Sequence, residues 1–226
     1  MCSSDLDTIS ITVQTTATLA LPPQVFVQQT GLTTTLPVTL TFDGGLWQSS
    51  AALDANWPQV GVIGVVATNT LTQTVTSFLP FNVSEIDASE DSRVWSSDGR
   101  AELYLPAGAL SANGRVNISP EGIPGPAPDG MMILGSPYTI RAGEGVTLTG
   151  WANLSLFYDG LGDALVRVRL FGAALYRWDG VAWQALDSTF DADQQYAAAP
   201  VDDFGVYALL TSSAPIFPVY LPVIVR

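Results

Sequence analysis

The sequence holds no histidine and no lysine, and its one cysteine is Cys2. The first two absences remove the commonest general base and any lysine Schiff base. A Ser-His-Asp or Cys-His constellation cannot be assembled, and zinc sites lose their usual ligands. A single cysteine excludes an intrachain disulfide, so stability must come from packing. Positive charge is scarce as well. Eight arginines face 21 acidic residues, a net charge of −13. Binding to nucleic acid or to anionic lipid needs cations, so both are poor partners. No run approaches the ~20 apolar residues of a membrane span. No basic-then-apolar signal peptide is present in the sequence, so an exported form would have had its signal removed, and no glycine-rich phosphate loop sits between a strand and a helix.

What is present is apolar and neutral-polar. Apolar residues make up 47% and charged residues only 13%, so a core is available but the surface must be covered by Thr, Ser, Asn, Gln and Gly. Such a surface suits an extracellular or cell-surface β-protein. Partners in keeping with it are Ca2+, neutral polysaccharide, other surface proteins and copies of itself. Solubility alone is the plainer reading of the acidity.

Strand signals dominate. Thr8–Ala20 alternates Ile9, Ile11 and Val13 with polar residues, the period of a half-buried strand. Gln24–Gln29, Leu36–Phe42, Val60–Thr68 and Leu71–Leu79 are further Thr-rich, β-branched runs. Turn signals separate them: Leu21-Pro22-Pro23, Gly31, Asp43-Gly44-Gly45 and Asn56-Trp57-Pro58. The stretch Ser84–Ser92, with Glu85, Asp87, Glu90 and Asp91, reads as an acidic linker. Strand signals then resume from Ala101 to Leu210, among them Leu165–Phe171, with a Pro/Gly-rich loop at Pro120–Gly130. Ala107–Leu110 is the one candidate helical turn. This spacing predicts an all-β fold of two antiparallel β-sandwich domains. The boundaries fall at 1–84, an acidic linker at 85–97, 98–212, and an apolar C-terminal tail at 213–226.

Candidate sites follow from residue chemistry. Asp187, Asp191 and Asp193 lie in one turn and could supply oxygens to Ca2+, although aspartates in turns ordinarily serve local hydrogen bonds. No other cofactor is expected. Tyr176, Trp178 and Trp183 flank Asp179-Gly180. A two-residue turn there sets Tyr176 opposite Trp183, either as a platform for a pyranose or as core packing. A carboxylate pair for glycoside hydrolysis is the one enzymatic chemistry left open, and a non-enzymatic role is favoured over it. Asn82, Asn117 and Asn153 open glycosylation sequons. The tail carries Ile216, Phe217, Val219, Tyr220, Leu221, Val223, Ile224 and Val225, which must be buried somewhere. It could serve as a strap on its own chain, as a strand added to a neighbour, or as a sorting signal. Pro218 and Pro222 confine it to an edge or an extended groove.

Two stretches resemble known families. Val38-Thr39-Leu40-Thr41-Phe42-Asp43-Gly44-Gly45-Leu46-Trp47-Gln48, Trp57 and the paired runs Val60–Thr68 and Leu71–Leu79 resemble bacterial immunoglobulin-like surface domains. That likeness implies a hairpin at Asp-Gly-Gly and a core tryptophan. Asp98-Gly99-Arg100-Ala101, Leu105–Leu110, Leu175–Gly180, Trp183 and Phe204–Leu209 resemble the ZU5-like β-sandwich of secreted bacterial proteins. Some of those relatives cut themselves at a His-Phe-Ser stretch. Here it reads Asp203-Phe204-Gly205, without the hydroxyl nucleophile or the histidine, so self-cleavage is not carried over. The tail resembles the short Tyr-Leu-Pro C-termini of surface proteins from filamentous, GC-rich bacteria. Met1-Cys2-Ser3-Ser4-Asp5 resembles the start of a mature bacterial lipoprotein, or else marks the start of a fragment. Together these imply a secreted or surface-displayed structural, adhesive or interaction protein. A carbohydrate-binding module is the alternative.

Overall fold

The computed structural model describes residues 8–54, 59–158 and 164–215. Within them the protein is all-β, built of antiparallel sheets in sandwich-like layers. Alternating segments become strands because one face of each is apolar and finds a core. β1 (Thr8–Val13) turns Ile11 inward and pairs with β5 (Leu46–Ala52), which also pairs with β4 (Thr41–Asp43). β2 (Gln24–Gln29) lies between β3 (Leu36–Val38) and β6 (Val60–Thr68) in a second layer. Gly44 and Gly45, at φ 56° and 90°, make the two-residue turn from β4 to β5. That conformation is the one a tight hairpin needs and few side chains tolerate.

β7 (Thr74–Ile86) is the longest strand. Thr74–Asn82 pair with β6, and Val83–Ile86 pair with β10 (Gly114–Pro120). Beyond β10 the sheet continues through β11 (Met131–Ala142), β17 (Gly205–Ser212), β13 (Ala174–Trp178) and β14 (Trp183–Ala185). The result is a nine-stranded sheet in the order β14-β13-β17-β11-β10-β7-β6-β2-β3. A five-stranded sheet packs on its later half. Its order is β15 (Thr189–Asp191), β16 (Tyr196–Val201), β12 (Ala152–Phe157), β9 (Ala101–Leu105) and β8 (Ser92–Trp95).

Two main cores result, on opposite faces of the long sheet. Phe81 of β7 joins Ile11, Val25, Val27 and Ile63. Ile86 joins the larger cluster around Leu103, Val116, Ile118, Ile140 and Leu154. Residues 81 and 86 differ in parity, so their side chains leave the strand on opposite sides.

The structure departs from the sequence reading in five places. The expected strand Thr8–Ala20 stops at Val13, and Leu36–Phe42 is two strands that change layers at Leu40. Leu165–Phe171 lies in a helix, α1 (Ala164–Phe171), although its apolar and charged residues alternate. Val168 is fully buried, Arg167 reaches the carbonyls of Ser212 and Ala214, and Gly172 at φ 72° stops the helix. The expected helical turn at Ala107–Leu110 is a tight turn around Gly108. The expected linker supplies the end of β7 and all of β8. Its acids act locally: Asp87 accepts from the Ser89 N–H and hydroxyl, and Asp91 accepts from the Ala107 N–H and the Tyr104 hydroxyl.

Asp98 ties the two layers of the later half together. Its carboxylate accepts from the Ser96 hydroxyl at 2.7 Å and from the Tyr138 hydroxyl of β11 at 2.7 Å. Losing it leaves part-buried donors without their acceptor, so Asp98→Ala is expected to cost about 1–3 kcal/mol. Denaturant unfolding checks this, and wild-type stability would contradict the role.

Candidate functional site

The tryptophan hairpin forms, in a different register from the expected one. Trp178 stands opposite Trp183, and Tyr176 opposite Ala185. The connection is four residues long because Asp179 organises it. One carboxylate oxygen accepts from the N–H groups of Val181 and Ala182, and the other accepts from the Gln184 amide. Those bonds, the Ala182 one foremost, hold the Asp179 carboxyl below the usual range. The two indoles meet edge to face at 5.4 Å and 60°. The Pro/Gly-rich loop covers them: the Trp183 indole N–H donates to the Gly125 carbonyl at 3.2 Å. A Cβ on Gly125 would lie 2.2 Å from the Trp178 ring. With Ala208 and Leu210 these rings form a small core of their own, against which Tyr176 also packs.

The three aspartates are not gathered into a cation site. Asp191 spends one oxygen on the N–H groups of Asp193 and Gln194, the bonds that shape the β15–β16 turn. Among the described residues no three His, Cys, Asp or Glu side chains are grouped to hold a metal. The tail residues Ile216, Phe217, Val219, Tyr220, Leu221, Val223, Ile224 and Val225 lie outside the described residues, as does Trp57. Of the two clefts at the end of the first sandwich, one is lined by no carboxylate and the other by Asp54 alone.

Two surfaces stand out that residue patterns did not single out. The first is the outer face of the five-stranded sheet. Trp95, Phe157 and Tyr196, from β8, β12 and β16, form a row with ring centroids 5.6 and 5.7 Å apart. Ser155 and Ala198 lie between the strands' larger side chains, and Asn153 is half-buried on the same face. Beside the row, Arg93 pairs with Glu102 and lies over the Tyr104 ring. The Tyr104 phenol is pushed up by its hydrogen bond to Asp91.

The second surface is the first half of β7. Its ladder phase is fixed by the bonds from the Val83 N–H to Gln59 and from the Asn69 N–H to Gln73. Odd-numbered backbone groups therefore face β6, and those of Thr76, Phe78 and Pro80 face away. β10 reaches only to Val83, so that edge has no strand beside it among the described residues. Pro80 sits where its missing N–H costs nothing. Val75, Phe78 and Leu79 are 66%, 62% and 51% exposed. Phe78 meets Phe26 edge-on at 6.3 Å, across a Gly64 whose Cβ would lie 2.1 Å from the Phe26 ring.

At the stretch where relatives of the second resemblance cut themselves, Asp203 is bound up structurally. Its carboxylate pairs with Arg177 at 2.5 Å, and its carbonyl accepts from the Tyr207 hydroxyl at 2.6 Å. Burial pushes the Tyr207 phenol up to about 12. An unfolded tyrosine ionises near 10, so the folded state holds this proton more tightly. The associated stability is intact below pH ~10 and is lost between pH ~10 and ~12, on the order of 2 kcal/mol. Tyr207→Phe is expected to remove that part of the alkaline slope. An unchanged slope would contradict it.

No family model matches the sequence, and no curated protein does. Solved structures similar to the chain include the cycloalternan-degrading enzyme from Trueperella pyogenes, with 9% identity and a TM-score of 0.29 over 90% of this chain and 28% of that one. The same enzyme in complex with isomaltose matches with 10% identity and a TM-score of 0.29, over 87% of this chain and 28% of that one. The chain thus spans under a third of the length of these structures, and a likeness at this level carries no argument about activity.

Proposed function

We propose that this is a non-enzymatic structural or adhesive protein of the bacterial surface or exterior, and that its first partners are copies of itself. The carrying observation is the apolar margin of β7. Val75, Phe78 and Leu79 stand exposed on β7, with Leu71 exposed in the turn before it, and the outer backbone edge of Thr76–Pro80 has no strand beside it among the described residues. Edges of that kind join other chains unless they are covered. The composition favours the same reading, since a chain without histidine or lysine has few routes to catalysis. The resemblances to immunoglobulin-like and ZU5-like surface domains point to the same class of protein. Solution mass measured across a concentration series tests the proposal. Reversible association of the full chain is expected, weakened at least several-fold by Leu79→Ser. A chain that stays monomeric throughout would overturn self-association.

The row Trp95–Phe157–Tyr196 favours a second reading, the binding of neutral polysaccharide on the five-stranded sheet. Aromatic rings with small residues between them and Asn153 and Tyr104 at the margin suit sugar faces and hydroxyls. On this reading soluble polysaccharide quenches tryptophan fluorescence saturably, and Trp95→Ala abolishes most of that change. Quenching that is unaltered in Trp95→Ala would dispose of it.

A further inference from the structure

The first sandwich is closed on one side and open on the other. At the closed side the chain itself crosses between layers at Leu40, which packs on the core. At the open side β1 is the edge of the three-stranded layer and pairs, among the described residues, with β5 alone. Ile11 of β1 shares its core with Phe81 of β7, and Val75, Leu79 and Phe81 share one face of that strand. Phe81 is buried in the core with Ile11, yet Val75 and Leu79 on the same face are exposed. Among the described residues the upper layer has three strands where the lower has four, and no strand lies beside β1.

The sequence outside the described residues contains a segment of matching character. Ile216–Val225 carries no charge, and neither does Thr74–Val83. In an extended chain alternate residues share an edge and a face. Pro218 and Pro222 are both even-numbered, so the missing donors all fall on one edge. Extended, the segment would set the N–H groups of Phe217, Val219, Leu221, Val223 and Val225 on the other edge, with those five apolar side chains on one face. Proline also holds the residue before it extended. Such a segment can pair along one edge only, which is what a terminal strand of a layer requires.

We infer that the segment Phe217–Val225 of one copy adds as a strand to the free edge of β1 in a second copy, covering Val75 and Leu79. This deepens the self-association proposed above and rests on it. Chain length favours a second copy as donor. The described chain leaves β17 with the Ser212 and Ala214 carbonyls held by Arg167, three strands from β7 and one layer from β1. Strands ~4.8 Å and layers ~10 Å apart make that at least about 17 Å, which uses about five residues. The five-residue apolar face would then be half spent before it reached β1 of its own chain. A donor from another copy delivers all of it, as in other strand-addition contacts.

The test uses full-length chains and two substitutions, one at exposed Leu79 and one within the segment itself. Leu79→Arg spoils the acceptor and keeps the donor, while Leu221→Arg does the reverse. Val75→Arg replaces Leu79→Arg should that variant fail to fold. Each variant alone is expected to be monomeric at concentrations where the unaltered chain associates. Their equal mixture is expected to form a 1:1 heterodimer, with amide exchange in Thr8–Val13 slowed at least tenfold. Oligomers that survive either substitution, or a mixture that stays monomeric, would overturn strand donation and leave self-association standing. An unaltered chain that never associates would overturn both.

Discussion

A β-strand has two edges and two faces, and the fold depends on β7 using them differently along its length. Its first nine residues pair with β6, and its last four pair on the other edge with β10. Its odd face closes the core around Ile11 and Ile63, while Ile86 on the even face enters the larger core. A single continuous strand thus contributes to both cores. Because pairing switches edges, the outer edge of its first half has no strand beside it among the described residues.

The remaining features follow from that switch. Pro80 falls on the bare edge, where a missing donor is harmless, and Gly64 lets Phe26 lie across β6 to reach Phe78. Val75 and Leu79 would be ordinary core residues under a fourth upper strand. Without one they form the margin of an open sandwich. In the later half Asp98 links β11 to the β8–β9 turn, and the Pro/Gly-rich loop covers Trp178 and Trp183.

Local patterning made much of the fold legible. Gln24–Gln29 and Val60–Thr68 are strands with the bounds that β-branched runs between turn residues indicate, and Asp43-Gly44-Gly45 is a hairpin. What escaped was non-local or used one pattern for another purpose. Leu165–Phe171 alternates like a strand, but the pull of a buried Val168 and of the carbonyls after β17 makes it helical. The acids of residues 85–97 look like a solvated linker because their hydrogen bonds to Ser89, Tyr104 and Ala107 cannot be read from composition. The Trp95–Phe157–Tyr196 row joins residues as much as about 100 positions apart, and only register brings them together. The aromatic site at Trp178 was visible as a cluster, but the loop that closes over it was not.

The central claim is that β7 is one strand whose pairing changes edge at residues 82 and 83, and amide hydrogen exchange reads it directly. In dilute protein the amides of Val75, Ser77, Leu79 and Phe81, directed at β6, should exchange slowly. Those of Ser84 and Ile86, directed at β10, should also be slow, and those of Thr76 and Phe78 fast. Uniform protection from Thr76 to Phe81, or a fast-exchanging break between Phe81 and Ser84, would contradict the account.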